Sequence, residues 1–231
     1  MIATYVAFGR LIVNMVEIIP TVVPKNFEDV IAAKEKYASF ASALHIDAAD
    51  GVFAPNTTWL PAPGDSLPDH QNYLYEAHLM VQNPLSVGVA FARSGARRLI
   101  AHVETFPHSD AARDTFTMWR SAGVKEILLG ILLTTSLEDL IPYARICDGL
   151  LIMTVAEIGK QGAPFDMKGV ERVKQVHTRY PSMRLSVDGG ATREYAKILC
   201  DAGASRILVG SALSKSKDPA KEYKNLSAVC A

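Results

Sequence analysis

Eight short apolar runs alternate with amphipathic segments along this chain, and this alternation is the feature that most limits its fold. Apolar runs separated by helical segments predict parallel strands, because a parallel connection needs a crossover long enough to hold a helix. The predicted strands are 16–22, 43–47, 73–80, 98–103, 127–132, 149–155, 184–187 and 206–209. The predicted helices are 27–37, 85–94, 109–121, 137–144, 167–178, 192–202 and 219–229.

Eight such strand–helix units predict an α/β fold, a single (β/α)8 TIM barrel, with an open doubly wound sheet as the alternative. The chain has 231 residues, of which 49% are hydrophobic, enough to build one large core. We expect residues 15–231 to form this single domain. Met15 directly precedes the first predicted strand. Residues 1–14 are therefore interpreted as an N-terminal extension or a mis-assigned start.

Charge and cysteine content limit which binding partners and which cellular compartment we expect for this protein. The chain has 24 Lys+Arg and 24 Asp+Glu residues, for a formal net charge of zero. Without a basic run, neither nucleic acid nor an acidic membrane is expected as a partner. The apolar stretch 3–13 is interrupted by Arg10 and is too short to cross a bilayer. The three scattered cysteines, Cys147, Cys200 and Cys230, predict unpaired thiols in a reducing cytoplasm.

Polar side chains mark the ends of three predicted strands. His45 and Asp47 end the second strand on one face, His78 lies near the end of the third, and Asp188 follows the seventh. Carboxyl ends of barrel strands meet at one mouth, where such barrels carry their chemistry. Two imidazoles and two carboxylates suit Zn²⁺, with Fe²⁺, Mn²⁺ or Co²⁺ as alternatives. A self-satisfied His–Asp hydrogen bond is the simpler interpretation of His45 and Asp47.

The fourth strand ends in a similar alternating pair, His102 and Glu104. Metal-binding histidines usually have hydrogen-bonded partners, so this pair is a candidate for orienting the ligands. A structural ion pair explains it equally well. The other histidines, His70, His108 and His177, fall in loops or helices and are interpreted as surface residues.

Glycines follow the seventh and eighth strands, at Gly189-Gly190 and at Gly210-Ser211. Glycine lets backbone N–H groups approach an anion closely, and these two loops form the frequent phosphate site of such barrels. The segment 158–162 after the sixth strand could contribute too, with Lys160 adding positive charge. A long Pro-containing stretch, 51–72, is predicted to be a binding loop.

Six motifs, met in order along the chain, carry a family resemblance. They are His45-Ile46-Asp47-Ala48-Ala49-Asp50-Gly51, Pro55-Asn56, Ala77-His78-Leu79-Met80-Val81, Leu151-Ile152-Met153-Thr154-Val155, Val187-Asp188-Gly189-Gly190 and Val209-Gly210-Ser211-Ala212. With them, the chain from near Ile18 onward resembles the ribulose-phosphate 3-epimerase family. These enzymes are (β/α)8 barrels that interconvert D-ribulose 5-phosphate and D-xylulose 5-phosphate.

The resemblance implies a role for each matching residue. His45, Asp47, His78 and Asp188 would bind a divalent metal, and Asp47 and Asp188 would also be the catalytic acid–base pair. Two carboxylates on opposite faces of C3 could exchange its proton through an enediolate. The substrate would be a phosphorylated ketose, and we expect a homo-oligomer. The implied substrate- or phosphate-binding residues are Thr21, Gly159, Gly162, Gly189, Gly190, Gly210 and Ser211, and the implied site-lining residues are Met80 and Met153.

Two departures from the family pattern bear on the substrate. Ala49 stands where the family usually has Met, and the loop 157–162 reads Glu-Ile-Gly-Lys-Gln-Gly where the family reads Pro-Gly-Phe-Gly-Gly-Gln. A ketohexose 6-phosphate (allulose 6-phosphate) 3-epimerase and a non-catalytic sugar-phosphate-binding paralogue therefore remain alternatives. A phosphosugar decarboxylase or aldolase would need a catalytic Lys or an Asp-x-Lys pattern on an inner strand, and none of the predicted strands carries one.

Overall fold

Eight parallel strands close into a barrel in the computed structural model, which describes residues 16–230. The hypothesis about residues 1–14 lies outside the described residues. The strands are β1 (Glu17–Val22), β2 (Ala43–Ala49), β3 (Leu74–Met80), β4 (Arg98–His102), β5 (Glu126–Ile131), β6 (Gly149–Met153), β7 (Arg184–Asp188) and β8 (Arg206–Val209). Strand β1 pairs with both β2 and β8. The barrel prediction is confirmed, and the open-sheet alternative is wrong.

Helices cover the outside of the barrel. They are α1 (Phe27–Tyr37), α2 (Pro84–Ser94), α3 (Ser109–Ser121), α4 (Lys168–Arg179), α5 (Arg193–Asp201), α6 (Ser211–Ser214) and α7 (Pro219–Val229). Of these, α1, α3, α5 and α7 each begin with a side-chain cap. The Asp218 carboxylate accepts a hydrogen bond from the Lys221 N–H, and Pro219 occupies the first helical turn of α7. Such caps satisfy N–H groups that have no partner inside the helix.

Two connections lack a long helix. Residues 50–73 form an irregular segment, as predicted, and the Asp50 carboxylate ties it to the barrel by accepting from the Gln82 N–H. The helix predicted at 137–144 is wrong. Only a single 3₁₀ turn forms, at Leu137–Leu140. Pro142 follows it and has no N–H to donate, so the turn cannot extend as a helix.

Side chains of each strand alternate between the barrel interior and the covering helices. On β2, Leu44 and Ile46 pack in the large core between strands and helices, whereas His45 and Asp47 point inward. The interior holds a smaller apolar cluster that includes Ile19, Ile100, Leu128, Leu151 and Leu208.

The cysteines differ from the expectation. Cys200 at the end of α5 and Cys230 just after α7 form a disulfide, which the two helices permit by packing against each other. The prediction of three unpaired thiols is therefore wrong for these two. Cys147 is free and half-buried, and burial raises the pKa of its thiol to about 11. Within residues 16–230, no helix combines the length and apolarity needed to cross a membrane.

Candidate active site

The four predicted ligands meet at the carboxyl ends of three strands. His45 and Asp47 come from β2, His78 from β3 and Asp188 from β7, and their ligand atoms lie within 4.8 Å of one another. The β2–β3 register pairs Asp47 with His78, so their side chains share one face of the sheet. Both imidazoles are fully buried. The sequence therefore predicted this convergence correctly.

One nitrogen in this group has no hydrogen-bond partner. His78 Nδ1 is buried and lies 3.4 Å from Asp47 Oδ1 and 3.5 Å from Asp188 Oδ2, without forming a hydrogen bond to either. His45 Nε2 lies 3.2 Å from the same Asp47 oxygen. The His45–Asp47 hydrogen bond of the simpler interpretation is thus present, but it leaves His78 Nδ1 unpaired, and buried polar groups are normally paired. Together, two imidazole nitrogens and two carboxylates form a donor set that fits a divalent cation.

The electrostatics of the four residues also favour a cation. Burial opposes charge on His45, but hydrogen bonds with Asp47 and Glu76 outweigh it and raise the pKa of His45 to about 10. Burial likewise disfavours the Asp47 carboxylate, yet His45 and His78 hold its pKa well below the usual range. The carboxylates therefore favour positive charge beside His45, and the imidazoles keep Asp47 anionic, which is the form that a cation binds.

Behind His45 lies a carboxylate to which the sequence reasoning gave no role. His45 Nδ1 lies 2.5 Å from Glu76 Oε1, and Glu76 Oε2 accepts a hydrogen bond from Arg98 Nη1 at 2.9 Å. Glu76 is fully buried, and these contacts keep its pKa low although burial alone would raise it. The signal was present, since Glu76 stands two residues before His78 and strand alternation places both inside the barrel.

Behind His78 lies the second predicted pair. His78 Nε2 and His102 Nε2 are 2.8 Å apart, and His102 Nδ1 is 3.3 Å from Glu104 Oε2. Burial lowers the pKa of His102 and favours its neutral form. Gly130 makes room for this ring, because a Cβ there would stand only 3.2 Å from it. His102 and Glu104 thus adjoin a candidate ligand, as one of the two interpretations expected.

A cavity opens above the two aspartates. It is lined by Asp47 and Asp188 and by every predicted phosphate-binding or lining residue: Thr21, Met80, Met153, Gly159, Gly162, Gly189, Gly190, Gly210 and Ser211. Gly189 and Gly190 have positive φ angles of 118° and 67°, and a Cβ on Gly190 would stand 2.8 Å from the Phe165 backbone nitrogen. Only glycine fits this turn without strain.

The loop after β6 lines the cavity with Lys160, as expected. Its ammonium group pairs with Glu157 at 3.4 Å and is largely exposed. Gln161 instead reaches across the cavity rim, where its Nε2 donates to the Thr21 carbonyl and its Oε1 accepts from Ser214. Lys215 brings its Nζ to within 3.8 Å of the point where a Cβ on Gly162 would stand. Sequence spacing could not place Gln161 and Lys215 here, because tertiary contacts set the loop.

The other three histidines lie away from the cavity. His108 is exposed and caps α3 by accepting from the Ala111 N–H, and His177 is exposed on α4. His70 differs from the surface prediction, because its ring is half-buried against Gly95. None of the three lines the cavity described above.

Comparison with protein families gives a match across most of the chain. The model described as "Ribulose-phosphate 3 epimerase family" matches residues 17–214. The cytoplasmic isoform of ribulose-phosphate 3-epimerase from Oryza sativa subsp. japonica is 29% identical over 210 residues, covering 88% of this chain and 89% of the relative. Ribulose-phosphate 3-epimerase of Rhodobacter capsulatus is 30% identical over 224 residues, covering 93% of this chain and 94% of the relative.

Solved structures share the architecture. KGPDC from Streptococcus mutans aligns with a TM-score of 0.71 at 12% identity, over 94% of this chain and 97% of that chain. 3-Hexulose-6-phosphate synthase from Salmonella typhimurium aligns with a TM-score of 0.71 at 13% identity, over 93% and 98%. At such low identity the likeness shows the barrel fold and carries no inference about activity.

Proposed function

This chain belongs to the ribulose-phosphate 3 epimerase family, and on that premise we propose that it interconverts D-ribulose 5-phosphate and D-xylulose 5-phosphate. One observation carries the proposal beyond family membership. The Asp47 and Asp188 carboxylates come from separate strands and flank the buried His78 Nδ1 in one open cavity. Two independent carboxylates facing one reacting centre are what inversion at a carbon acid needs.

In this reaction Asp47 and Asp188 exchange roles. Inversion at C3 requires a proton to leave one face of the substrate and a proton to arrive at the other face. One carboxylate removes the C3 proton and leaves an enediolate, and the other, in its protonated form, returns a proton from the opposite side. The reverse reaction uses the same two groups with acid and base interchanged.

His45, Asp47, His78 and Asp188 would hold a divalent cation, and we propose Zn²⁺ from the two-nitrogen, two-oxygen donor set. When bound, the cation supplies Lewis-acid stabilisation for the negative charge that develops on the substrate oxygens. The buried imidazoles hold the two carboxylates in place on either side of the reacting carbon. Elemental analysis of the purified protein tests the identity of the metal.

The remaining cavity residues would bind and cover the substrate. Backbone N–H groups near Gly189, Gly190, Gly210 and Ser211, with the Thr21 hydroxyl, are proposed to bind the phosphate. Gly159 and Gly162 let the loop after β6 approach it closely. Met80 and Met153 line the cavity with apolar surface, which would exclude water from the reacting carbon. Binding energy from the phosphate would thereby orient C3.

The test is proton exchange at C3. Metal-loaded protein in D₂O is expected to incorporate deuterium at C3 of ribulose 5-phosphate while xylulose 5-phosphate accumulates, both followed by NMR. The same assay on allulose 6-phosphate separates the hexose alternative, which predicts faster turnover of that substrate. Exchange with neither substrate in the presence of metal would support the non-catalytic alternative and contradict the proposal.

We also propose a cytoplasmic location and a homo-oligomer. The location is supported by the name of the rice relative, a cytoplasmic isoform, and no longer by unpaired thiols, because Cys200 and Cys230 form a disulfide. Cell fractionation tests it, and light scattering of the purified protein tests the oligomeric state. A particle with the 25.1 kDa mass of one chain would contradict the oligomer proposal.

A further inference from the structure

We propose that Glu76 and Glu104 are positioning residues that dictate which ring nitrogen of each metal-binding histidine carries the proton. The inference rests on the proposed metal site. A cation binds only an imidazole nitrogen that has a free lone pair, so the other nitrogen of a neutral ring must carry the hydrogen. Each ligand histidine therefore needs a hydrogen-bond acceptor on its far side.

For His45 this acceptor is direct. Its Nε2, which lies 3.2 Å from Asp47 Oδ1, would coordinate the cation when metal binds, so its Nδ1 must then carry the proton. Nδ1 lies 2.5 Å from Glu76 Oε1, which can only accept. The hydrogen bond to Glu76 thus selects the tautomer in which Nε2 is free.

For His78 the acceptor is reached through a second ring. His78 presents Nδ1 to the two aspartates, so its Nε2 must carry the proton and donate it to His102 Nε2 at 2.8 Å. His102 then accepts at Nε2 and must carry its own proton on Nδ1. That buried nitrogen has no hydrogen bond in this structure, and Glu104 Oε2, 3.3 Å away, is the carboxylate oxygen within reach of it. The N–H groups of both rings, on His78 Nε2 and His102 Nδ1, therefore point away from the metal site.

Each glutamate must be a carboxylate to do this, because its second oxygen also has to accept hydrogen bonds. Glu76 Oε2 accepts from Arg98 Nη1, and Glu104 Oε1 accepts from the backbone N–H of Leu132 and from the Thr135 hydroxyl. A guanidinium and a backbone N–H can only donate. A glutamine in either position would therefore turn its carbonyl toward these donors and its NH₂ group toward the imidazole.

This geometry gives Glu104→Gln an unusual expected effect. The new NH₂ group would donate to His102 Nδ1 and move the His102 proton to Nε2. His102 would then donate to His78 Nε2, and the His78 proton would shift to Nδ1, on the nitrogen that faces the metal. Glu104→Ala only removes the acceptor, so that His102 can adopt either tautomer. The isosteric glutamine is thus expected to weaken metal binding more than alanine does, the reverse of what a packing role predicts.

The experiment measures the Zn²⁺ dissociation constant by chelator competition, without substrate, for the wild-type protein and for Glu104→Gln, Glu104→Ala and Glu138→Gln. Glu138 is an exposed carboxylate paired with Arg179 and serves as the matched control. Glu104→Gln is expected to bind Zn²⁺ about 10–100-fold more weakly, Glu104→Ala less so, and Glu138→Gln like the wild type. Equal or tighter binding by Glu104→Gln than by Glu104→Ala would overturn the inference.

Nitrogen-15 NMR of the histidine rings provides a second readout that a structural role would not affect. In the Zn²⁺-loaded wild-type protein, His102 is expected to carry its proton on Nδ1 and His78 on Nε2. A proton on His102 Nε2, or no zinc binding by the wild type, would also overturn the inference. If zinc binds with these tautomers but no C3 exchange occurs, the proposed function fails while the inference stands.

Discussion

The barrel interior carries charged residues at both ends, and the two ends differ in how completely the charges are paired. The lower charged layer consists of Glu17, Glu76, Arg98, Glu126 and Arg206. Arg98 Nε donates to Glu126 at 2.7 Å, and Arg206 donates to Glu126 at 2.7 and 3.0 Å and to Glu17 at 2.8 Å. Each guanidinium there contacts more than one carboxylate, so the layer is complete in itself.

At the upper end the same barrel leaves its polar groups incomplete. Asp47 and Asp188 have no arginine partner in the contacts described, and His78 Nδ1 has no hydrogen bond. An incomplete buried cluster costs stability unless something binds to it. The lower charged layer therefore serves the fold, whereas the upper cluster of His45, Asp47, His78 and Asp188 is arranged for a ligand. Glu76 connects them, contacting Arg98 with one oxygen and His45 with the other.

Removing divalent metal should have the largest effect, and only at the upper cluster. Dialysis against a chelator is expected to abolish C3 exchange, and adding back Zn²⁺ or Co²⁺ should restore it. The barrel should stay folded, because the lower charged layer and the apolar core do not depend on the metal. Circular dichroism checks the fold, and the melting temperature should fall, since the metal binds only the native state. Full activity in the metal-free protein would contradict the proposed metal site.

Replacing a single carboxylate of the upper cluster should come next in size. Asp188→Asn is expected to lower kcat by about 10²–10⁴-fold, measured at saturating metal, because an amide cannot exchange a proton with C3. Asp201→Asn, at an exposed aspartate paired with Lys197, is the control and should leave kcat unchanged. Near-native turnover by Asp188→Asn would contradict the two-carboxylate mechanism.

Disrupting the lower charged layer should lower stability and leave catalysis nearly unchanged. Arg206→Met leaves Glu17 and Glu126 without their main partner and is expected to cost about 3–5 kcal/mol of unfolding free energy, with kcat nearly unchanged. Arg179→Met, which removes an exposed pair with Glu138, should have no measurable effect. Urea unfolding and steady-state kinetics measure both properties. A large loss of kcat with little loss of stability would reverse the roles assigned to the two ends.

The sequence predicted the upper cluster better than the lower charged layer, and the reason is physical. Strand alternation is local, so it places His45, Asp47 and His78 inside the barrel once the strands are recognised. The pair between Arg206 and Glu126 joins strands 80 residues apart in sequence. It forms only because the barrel closes, and alternation alone does not say which charges will meet.

Features outside the strands depended even more on tertiary context. The disulfide between Cys200 and Cys230 requires α5 and α7 to pack side by side, which scattered cysteines do not reveal. Lys160 lines the cavity as predicted, but its pairing with Glu157 was not foreseen. A loop follows the surfaces it touches, so its side chains are the least predictable part of the site.

Acid should weaken the lower charged layer in a predictable direction. Burial raises the pKa of Glu126, but Arg206 and Arg98 outweigh it and hold the pKa below the usual range. A depressed native pKa contributes stability above the unfolded-state pKa, and that stability is lost as pH falls through the native value. Glu126→Gln should therefore be less stable than the wild type at pH 7, with a gap that narrows below about pH 5.

Urea unfolding at several pH values measures this gap. Glu171→Gln, which removes an exposed carboxylate paired with Lys174, is the control and should follow the wild-type curve in parallel. A gap between the wild type and Glu126→Gln that stays constant down to about pH 3 would show that charge pairing at Glu126 is not what stabilises this end.

The smallest expected effect concerns charge at the upper end. Lys215 places its ammonium group beside Gly162, whereas the ammonium group of Lys160 pairs with Glu157. If the phosphate binds at the glycine loops, Lys215→Met should raise KM for ribulose 5-phosphate about two- to fivefold, the range for an exposed ion pair, with kcat unchanged. The effect should shrink as salt is added, because exposed charges are screened. Lys160→Met is the matched control. A larger KM effect from Lys160→Met would mean that the loop after β6 rearranges when substrate binds and brings that lysine to the phosphate instead.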